Sequence, residues 1–216
     1  MNVSFLVIAK APRPGRTKTR LCPPCTPEQA AGLAAAALDD TIEAVTRTDV
    51  PGRRVLVFDG DRAPALPSGW TVIAQRGEGL DRRLANAFVD VDGPGLLVGM
   101  DTPQLTPGLL AGAVEALGAP GVDVVLGPAE DGGYWAIGFR VPRPEALVGV
   151  PMSSDATLSA QRRLLDGLGL GVVELPPLRD VDSFEDAEVV ARQAPGTRFA
   201  AALGAVRRSL VAGNVS

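Results

Sequence analysis

Strands that alternate with helices along most of the chain predict an α/β protein: a three-layer αβα sandwich around a mostly parallel sheet. Two more observations support this class. The runs at residues 3–9 and 95–99 are almost wholly apolar rather than alternating, as strands covered on both faces are. Charged motifs also follow these runs closely, where open α/β sheets hold their ligands. With 216 residues, 46% hydrophobic and 21% charged, the chain reads as one domain over 1–216 with a sizeable core.

The elements follow in order. Residues 3–9 form the first strand and run into a basic loop broken by Pro12, Pro14 and Gly15. Thr26 before Pro27 is an N-cap with proline at the first helical position, and the alanine-rich helix runs to about residue 45. Strands are expected at 54–58 and 70–74, with a turn at Asp59, Gly60 and Asp61 after the first. A loop at 75–79 leads into a helix over 80–89 with Leu80, Leu84, Ala87 and Phe88 on one face. A strand at 95–99, a helix from Thr106–Pro107 to about 117, and strands at 122–126 and 134–139 come next. Ser154 or Asp155 is expected to cap a helix to about 168, and 171–175 reads as a strand. Ser183 and Asp186 form an S/T-x-x-[DE] capping box, residues 197–208 are helical, and the last residues are expected to fray.

Composition excludes several functions. The formal net charge of −4 argues against nucleic-acid binding. No apolar run approaches the roughly 20 residues of a membrane span, and the first apolar run lacks a signal peptide's charged lead-in, so a cytoplasmic protein is expected. The absence of histidine removes Ser-His-Asp and Cys-His mechanisms and a Cys/His zinc site. Cys22 and Cys25 form a C-x-x-C pair, read as two small thiols near a turn, with a thioredoxin-like redox pair as the alternative. Chemistry is left to carboxylates, Lys and Arg, backbone amides, or a metal held by oxygen.

Both lysines of the chain, Lys10 and Lys18, lie in the loop after the first strand, with Arg13, Arg16 and Arg20. A lysine is a compact point charge suited to phosphate oxygens, and a strand–loop–helix unit is a common phosphate site. Lys10, Gly15, Arg16, Lys18 and Arg20 are therefore candidate phosphate ligands, the alternative being a solvated basic loop. Asp101 follows the central strand, and Asp180 and Asp182 follow the last one, on one side of an extended segment. Three aspartates at strand ends suit a hard cation, Mg²⁺ or Mn²⁺, although each alone also reads as a turn or cap residue. Glu130, Asp131, Gly132 and Gly133 form a tight backbone able to lie against a ligand, or a hairpin turn. Ser153 and Ser154, at a helix start, offer hydroxyls and N–H groups to an anionic acceptor.

Four motifs occur in order: Lys10, Pro12, Pro14, Gly15 and Lys18 to Leu21; Gly99, Asp101, Pro103 and Thr106; residues 127–134; and Arg179 to Asp182 with Glu185 and Asp186. Together they resemble a bacterial glycosyltransferase-like family of the GT-A, nucleotide-diphospho-sugar transferase type, over nearly the whole chain. More distantly the framework is similar to the 2-phospholactate or phosphoenolpyruvate guanylyltransferases. The resemblance implies a Rossmann-like GT-A fold, metal ligation by Asp101, Asp180 and Asp182, phosphate binding by Lys10, Lys18 and Arg20, and base recognition near Gln75 and Gly79. This chain departs from the pattern at Gln104, where Asp is frequent, at Asp81, where Gly is usual, and at Met152, where Trp is frequent.

The implied activity is metal-dependent transfer from a bound nucleotide, with Lys18 and Asp101 central to catalysis. Nucleotidyl transfer from a nucleoside triphosphate to a small phosphorylated acceptor, releasing pyrophosphate, is favoured by the five cations of the loop. Glycosyl transfer from a nucleotide-sugar is the alternative, and a nucleotide-binding module without turnover is a third reading. The oligomeric state is left open.

Overall fold

The computed structural model describes residues 1–213, so the expected fraying of the last residues falls, for 214–216, outside the described residues. The chain starts with β1 (Ser4–Lys10), a strand buried over most of its length. A single 3-10 turn at Thr19–Leu21 ends the basic loop, and α1 (Pro27–Arg47) follows. Its start carries a capping box in which Thr26 and Gln29 satisfy each other's backbone N–H groups at 3.2 and 2.8 Å. β2 (Arg54–Asp59), β3 (Trp70–Ala74), α2 (Leu80–Val91), β4 (Gly95–Gly99) and α3 (Pro107–Gly118) alternate next. β5 (Val124–Pro128) and β6 (Tyr134–Phe139) form a hairpin, followed by α4 (Thr157–Gly167), β7 (Val172–Glu174), α5 (Phe184–Gln193) and α6 (Arg198–Gly213).

The seven strands make one sheet in the order β3-β2-β1-β4-β6-β5-β7. All neighbours are parallel except those of β6, which runs antiparallel to β4 and β5. The start of β6 therefore lies at the same edge as the ends of the other strands. One face packs against α1 and α3 through Leu38, Ile42, Val45, Leu110 and Leu117. The other packs against α2 and α4 through Leu84, Phe88, Val91 and Leu165. A third cluster joins the outer side of α1 to α5 and α6 around Leu33, Val190, Phe199 and Leu203. Each fully buried Leu or Phe in these clusters contributes about 1.5–3 kcal/mol.

Three local expectations change. β5 lies two residues later than expected, because Asp123 and Val124 are both tied to the carbonyl of Gly171 before β5 leads into the hairpin. α4 starts at Thr157 with Ala156 as N-cap; Ser154 acts one turn earlier, its hydroxyl accepting from the Ala156 N–H at 3.2 Å. Leu80 does not join the core face of α2 and is 40% exposed. The cysteines are free thiols: Cys22 is half-buried, and Cys25 is buried in the third cluster, where burial, then the neighbouring Cys22, pushes its pKa up.

Candidate active site at the carboxyl edge of the sheet

The ends of β1, β2, β4 and β5 and the start of β6 open onto a cleft of about 920 Å³. The loop after β1 forms one side. Its shape is fixed from within by Thr17, 2% exposed, which accepts from the Arg13 N–H at 3.1 Å and donates to the Ala11 carbonyl at 3.2 Å. Lys10, Arg16, Lys18 and Arg20 line the cleft; Gly15 and Arg13 do not. Gly15 supplies a turn at φ +71, and Arg13 pairs with Asp61.

Lys18 is the centre of this arrangement. Its side chain is only 10% exposed, and its Nζ lies 3.0 Å from Asp101 Oδ2 and 2.9 Å from Asp182 Oδ1. Arg20 reaches the other oxygen of Asp182 at 3.2 Å. Burial, the largest influence on Lys18, favours the neutral amine. The two carboxylates and the hydrogen bonds to them outweigh it, and the pKa is raised. Lys18 also has a left-handed backbone, φ 53, and Ser153 has φ 58; both line the cleft. Non-glycine residues held in that region store strain, typically about 1–3 kcal/mol, and gather at functional sites.

The carboxylates sort differently from the sequence expectation. Among the described residues, the acidic oxygens that come within 4.8 Å of one another belong to Asp131, Asp180 and Asp182. Asp101 does not join that group; it meets it through Lys18. The main chain binds the two segments together, since the Val181 N–H donates to the Asp101 carbonyl at 3.0 Å. Asp131 arrives through the hairpin: Ala129 bridges to Leu178, the Glu130 N–H donates to the Leu178 carbonyl, and Asp131 Oδ1 accepts from the Gly133 N–H at 2.8 Å. Burial, then the charges of Asp131 and Asp182, raise the pKa of Asp180 to about 6, with Lys18 partly opposing. Asp180 and Asp182 are flanked by Arg179, which pairs with Glu130 at 2.6 Å and with Asp186 at 3.2 Å.

The remaining sequence candidates divide. Gly133, Ser153 and Ser154 line the cleft, whereas Glu130 and Gly132 do not. Glu130 is engaged by Arg179, and Gly132 has φ +89 with the Asp155 carbonyl where a side chain would begin. Gln75 lines the cleft, but its amide donates to the carbonyls of Ala9 and Val57 at 2.8 and 3.2 Å and accepts from Arg83 at 3.2 Å. It acts as a brace between β1 and β2. Gly79 does not line the cleft; it opens α2 at φ +85. Sequence reasoning missed Leu80, Arg83 and Tyr134 as lining residues, and Asp155 was read only as a candidate helix cap. The glycine-containing turn before β6 was the available signal for Tyr134; nothing local marked the others.

A mostly parallel seven-stranded sheet between helical layers, opening at its carboxyl edge onto this cleft, is the three-layer Rossmann-like fold of the nucleotide-diphospho-sugar transferases. The chain belongs to the DUF2064 family, described as an uncharacterized protein conserved in bacteria, whose model matches residues 36–154. It is similar to a candidate nucleotide-diphospho-sugar transferase from Desulfovibrio desulfuricans G20, with TM-score 0.83 and 26% identity over 99% of this chain and 98% of that one. CMP:2-keto-3-deoxy-manno-octonic acid synthetase complexed with CTP superposes with TM-score 0.59 and 13% identity, over 90% of this chain and 99% of that one. Rv0371C of Mycobacterium tuberculosis H37Rv, complexed with manganese, does so with TM-score 0.53 and 21% identity, over 89% and 98%. The last two share the fold. A comparison with curated protein sequences finds no match. No helix among the described residues is long and apolar enough to cross a membrane.

Proposed function

We propose that this chain is a divalent-cation-dependent transferase that moves the nucleotidyl group of a nucleoside triphosphate to a small acceptor and releases pyrophosphate. One observation carries the reading: the basic side chains of a single loop line the cleft together with Asp131, Asp180 and Asp182, with Lys18 shared between the two sets. Lys10 and Arg16 make no ion pair among the described residues, so their charge is available to phosphate oxygens. The complexes of two fold relatives with CTP and with manganese are in keeping with a nucleotide and a divalent ion here.

The residues fit such an ion. Three carboxylates are crowded together, and one of them is held at a pKa of about 6 by burial and its neighbours, a cost that a cation relieves. An oxygen-only donor set suits Mg²⁺ or Mn²⁺, with Asp131, Asp180 and Asp182 as the holders and Asp101 acting through Lys18. When bound, such an ion supplies Lewis-acid neutralisation of phosphate oxygens. Lys10, Arg16 and Lys18 hold the donor's phosphates, and the Lys18 ammonium offsets the charge that develops as the bond from the α-phosphorus to the bridging oxygen breaks. No side chain need form a covalent bond; positioning and charge do the work.

Glycosyl transfer is favoured by a different observation. Arg13 is diverted to Asp61, so fewer cations face the cleft than the sequence suggests, and the full-length likeness to the Desulfovibrio protein points the same way. The two readings separate on product. With Mg²⁺ and a panel of small acceptors, pyrophosphate release from a nucleoside triphosphate supports nucleotidyl transfer. Liberation of free nucleotide from a nucleotide-sugar, with no pyrophosphate from any triphosphate, supports glycosyl transfer.

A further inference from the structure

The charges of the cleft are sorted by chain segment, apart from Asp59 at the end of β2, which pairs with Arg83 at 2.8 Å. The basic side chains of the cleft, Lys10, Arg16, Lys18, Arg20 and Arg83, all come from the β1 loop and α2. The opposite half, from the ends of β4 and β5, the start of β6, the segments before α4 and α5 and the first turn of α5, contributes Asp101, Asp131, Asp155, Asp180, Asp182 and Asp186; it supplies no lining lysine or arginine of its own, and the cations that reach it are Lys18 and Arg20 from the β1 loop. Lys18 and Arg20 pair with Asp101 and Asp182, and Arg179 with Asp186. These pairings, with a divalent ion at the carboxylate cluster, leave no surplus positive charge on that side.

The other groups of this half are neutral and polar or aromatic: Ser153, Ser154, Thr157, Tyr134 and Trp135. Thr102 lines it too, is 2% exposed, and its Oγ1 has no hydrogen-bond partner among the described residues. A phosphate or carboxylate here would face like charge, while a hydroxyl compound would find donors and acceptors.

Resting on the nucleotidyl-transfer reading, we infer that the acceptor is a hydroxyl compound without phosphate or carboxylate, and that Asp155 is its general base. A hydroxyl, unlike a phosphate, must lose a proton as it attacks, and the chain has no histidine to take it. Asp59, Asp101, Asp182 and Asp186 are occupied by cations, and Asp131 and Asp180 belong to the metal cluster. Asp155 is exposed, lines the cleft, and makes no ion pair among the described residues. The acceptor oxygen bonds to the α-phosphorus, its proton passes to the Asp155 carboxylate, and the α–β bridging P–O bond breaks with its electron pair leaving on pyrophosphate. This acceptor differs from the phosphorylated one expected from the sequence.

The test uses the full chain with Mg²⁺, each of the four common ribonucleoside triphosphates, and matched acceptor pairs such as glycerol and glycerol 3-phosphate, or glucose and glucose 6-phosphate. The neutral member of a pair should raise pyrophosphate release, and its phosphate should not, inhibiting instead by competing at Lys10 and Arg16. Asp155→Asn should lower the neutral-acceptor rate roughly 100-fold and leave triphosphate affinity unchanged; Asp155→Glu should restore part of the rate. Stimulation by the phosphorylated members, no stimulation by any neutral one, or an undiminished rate in Asp155→Asn overturns the inference. Calorimetric binding of the triphosphate without acceptor is read separately. Its absence condemns the donor reading, whereas binding with the wrong acceptor preference condemns only this one.

Discussion

Lys18 Nζ lies 2.9 Å from Asp182 Oδ1 although 164 residues separate them in the chain. This contact joins the phosphate-type loop after β1 to the carboxylate segment before α5, and makes one site of two sequence motifs. Because Lys18 also touches Asp101, its loss should affect nucleotide and metal alike.

Replacing Lys18 by alanine should weaken triphosphate binding in the presence of Mg²⁺ by roughly 10- to 100-fold, the worth of a charge-assisted hydrogen bond. Arg53→Ala should change it little, since Arg53 does not line the cleft and, among the described residues, its side chain hydrogen-bonds to Ser4 at 3.4 Å. Titration calorimetry on both variants checks the contrast.

Asp182→Asn should abolish turnover while circular dichroism stays that of the parent. Asp182 is partly exposed and its main-chain neighbours are held by backbone hydrogen bonds, so the fold has other support. The loss of Mn²⁺ affinity can be followed directly by the paramagnetic signal of the free ion.

Asp180 gives a pH prediction. Its folded pKa of about 6 lies above the ordinary 3.8, so the folded state binds this proton more tightly than the unfolded state does. The stability it contributes is present below about 3.8 and lost as pH rises through about 6. Asp180→Asn should therefore stabilise the metal-free protein at pH 7.5 by on the order of 1 kcal/mol, discounted for partial exposure. That is about 2–4 °C in Tm for a chain of this size. The gain should vanish near pH 4, and added Mg²⁺ should raise the Tm of the parent but not of the variant.

Gly132→Ala should be costly at a site with no direct ligand contact. Its φ of +89 disfavours any side chain, and an added Cβ would meet the Asp155 carbonyl oxygen. The hairpin carrying Asp131 would have to move. A loss of about 1–3 kcal/mol in urea unfolding is expected, together with weaker metal binding.

Much of this was legible locally. Unbroken apolar runs gave β1 and β4, and Thr26, Thr106 and Ser183 announced their helices through cap chemistry. What was not legible depends on distant pairing. Asp131 reaches Asp180 and Asp182 only because the antiparallel β6 sets the β5–β6 hairpin beside the segment after β7. That the Gln75 amide is engaged by the carbonyls of Ala9 and Val57 while it lines the cleft is likewise set by residues distant in the chain. Asp40, an unremarkable helical aspartate in the sequence, is buried and accepts from the N–H groups of Arg198 and Phe199 at 3.0 and 2.8 Å, fixing α6 on α1. Counting cations in the loop also overstated the charge at the site, since Arg13 turns away to Asp61.

This cleft is expected to bind a nucleotide and a divalent cation together through Lys18 and the Asp131, Asp180 and Asp182 cluster. Titration calorimetry of the four ribonucleoside triphosphates, each with and without Mg²⁺, tests it most directly. The expected result is Mg²⁺-dependent binding of at least one of them by the parent, strongly reduced in both Lys18→Ala and Asp182→Asn. Absence of binding by every triphosphate, or binding that neither variant alters, would contradict the claim.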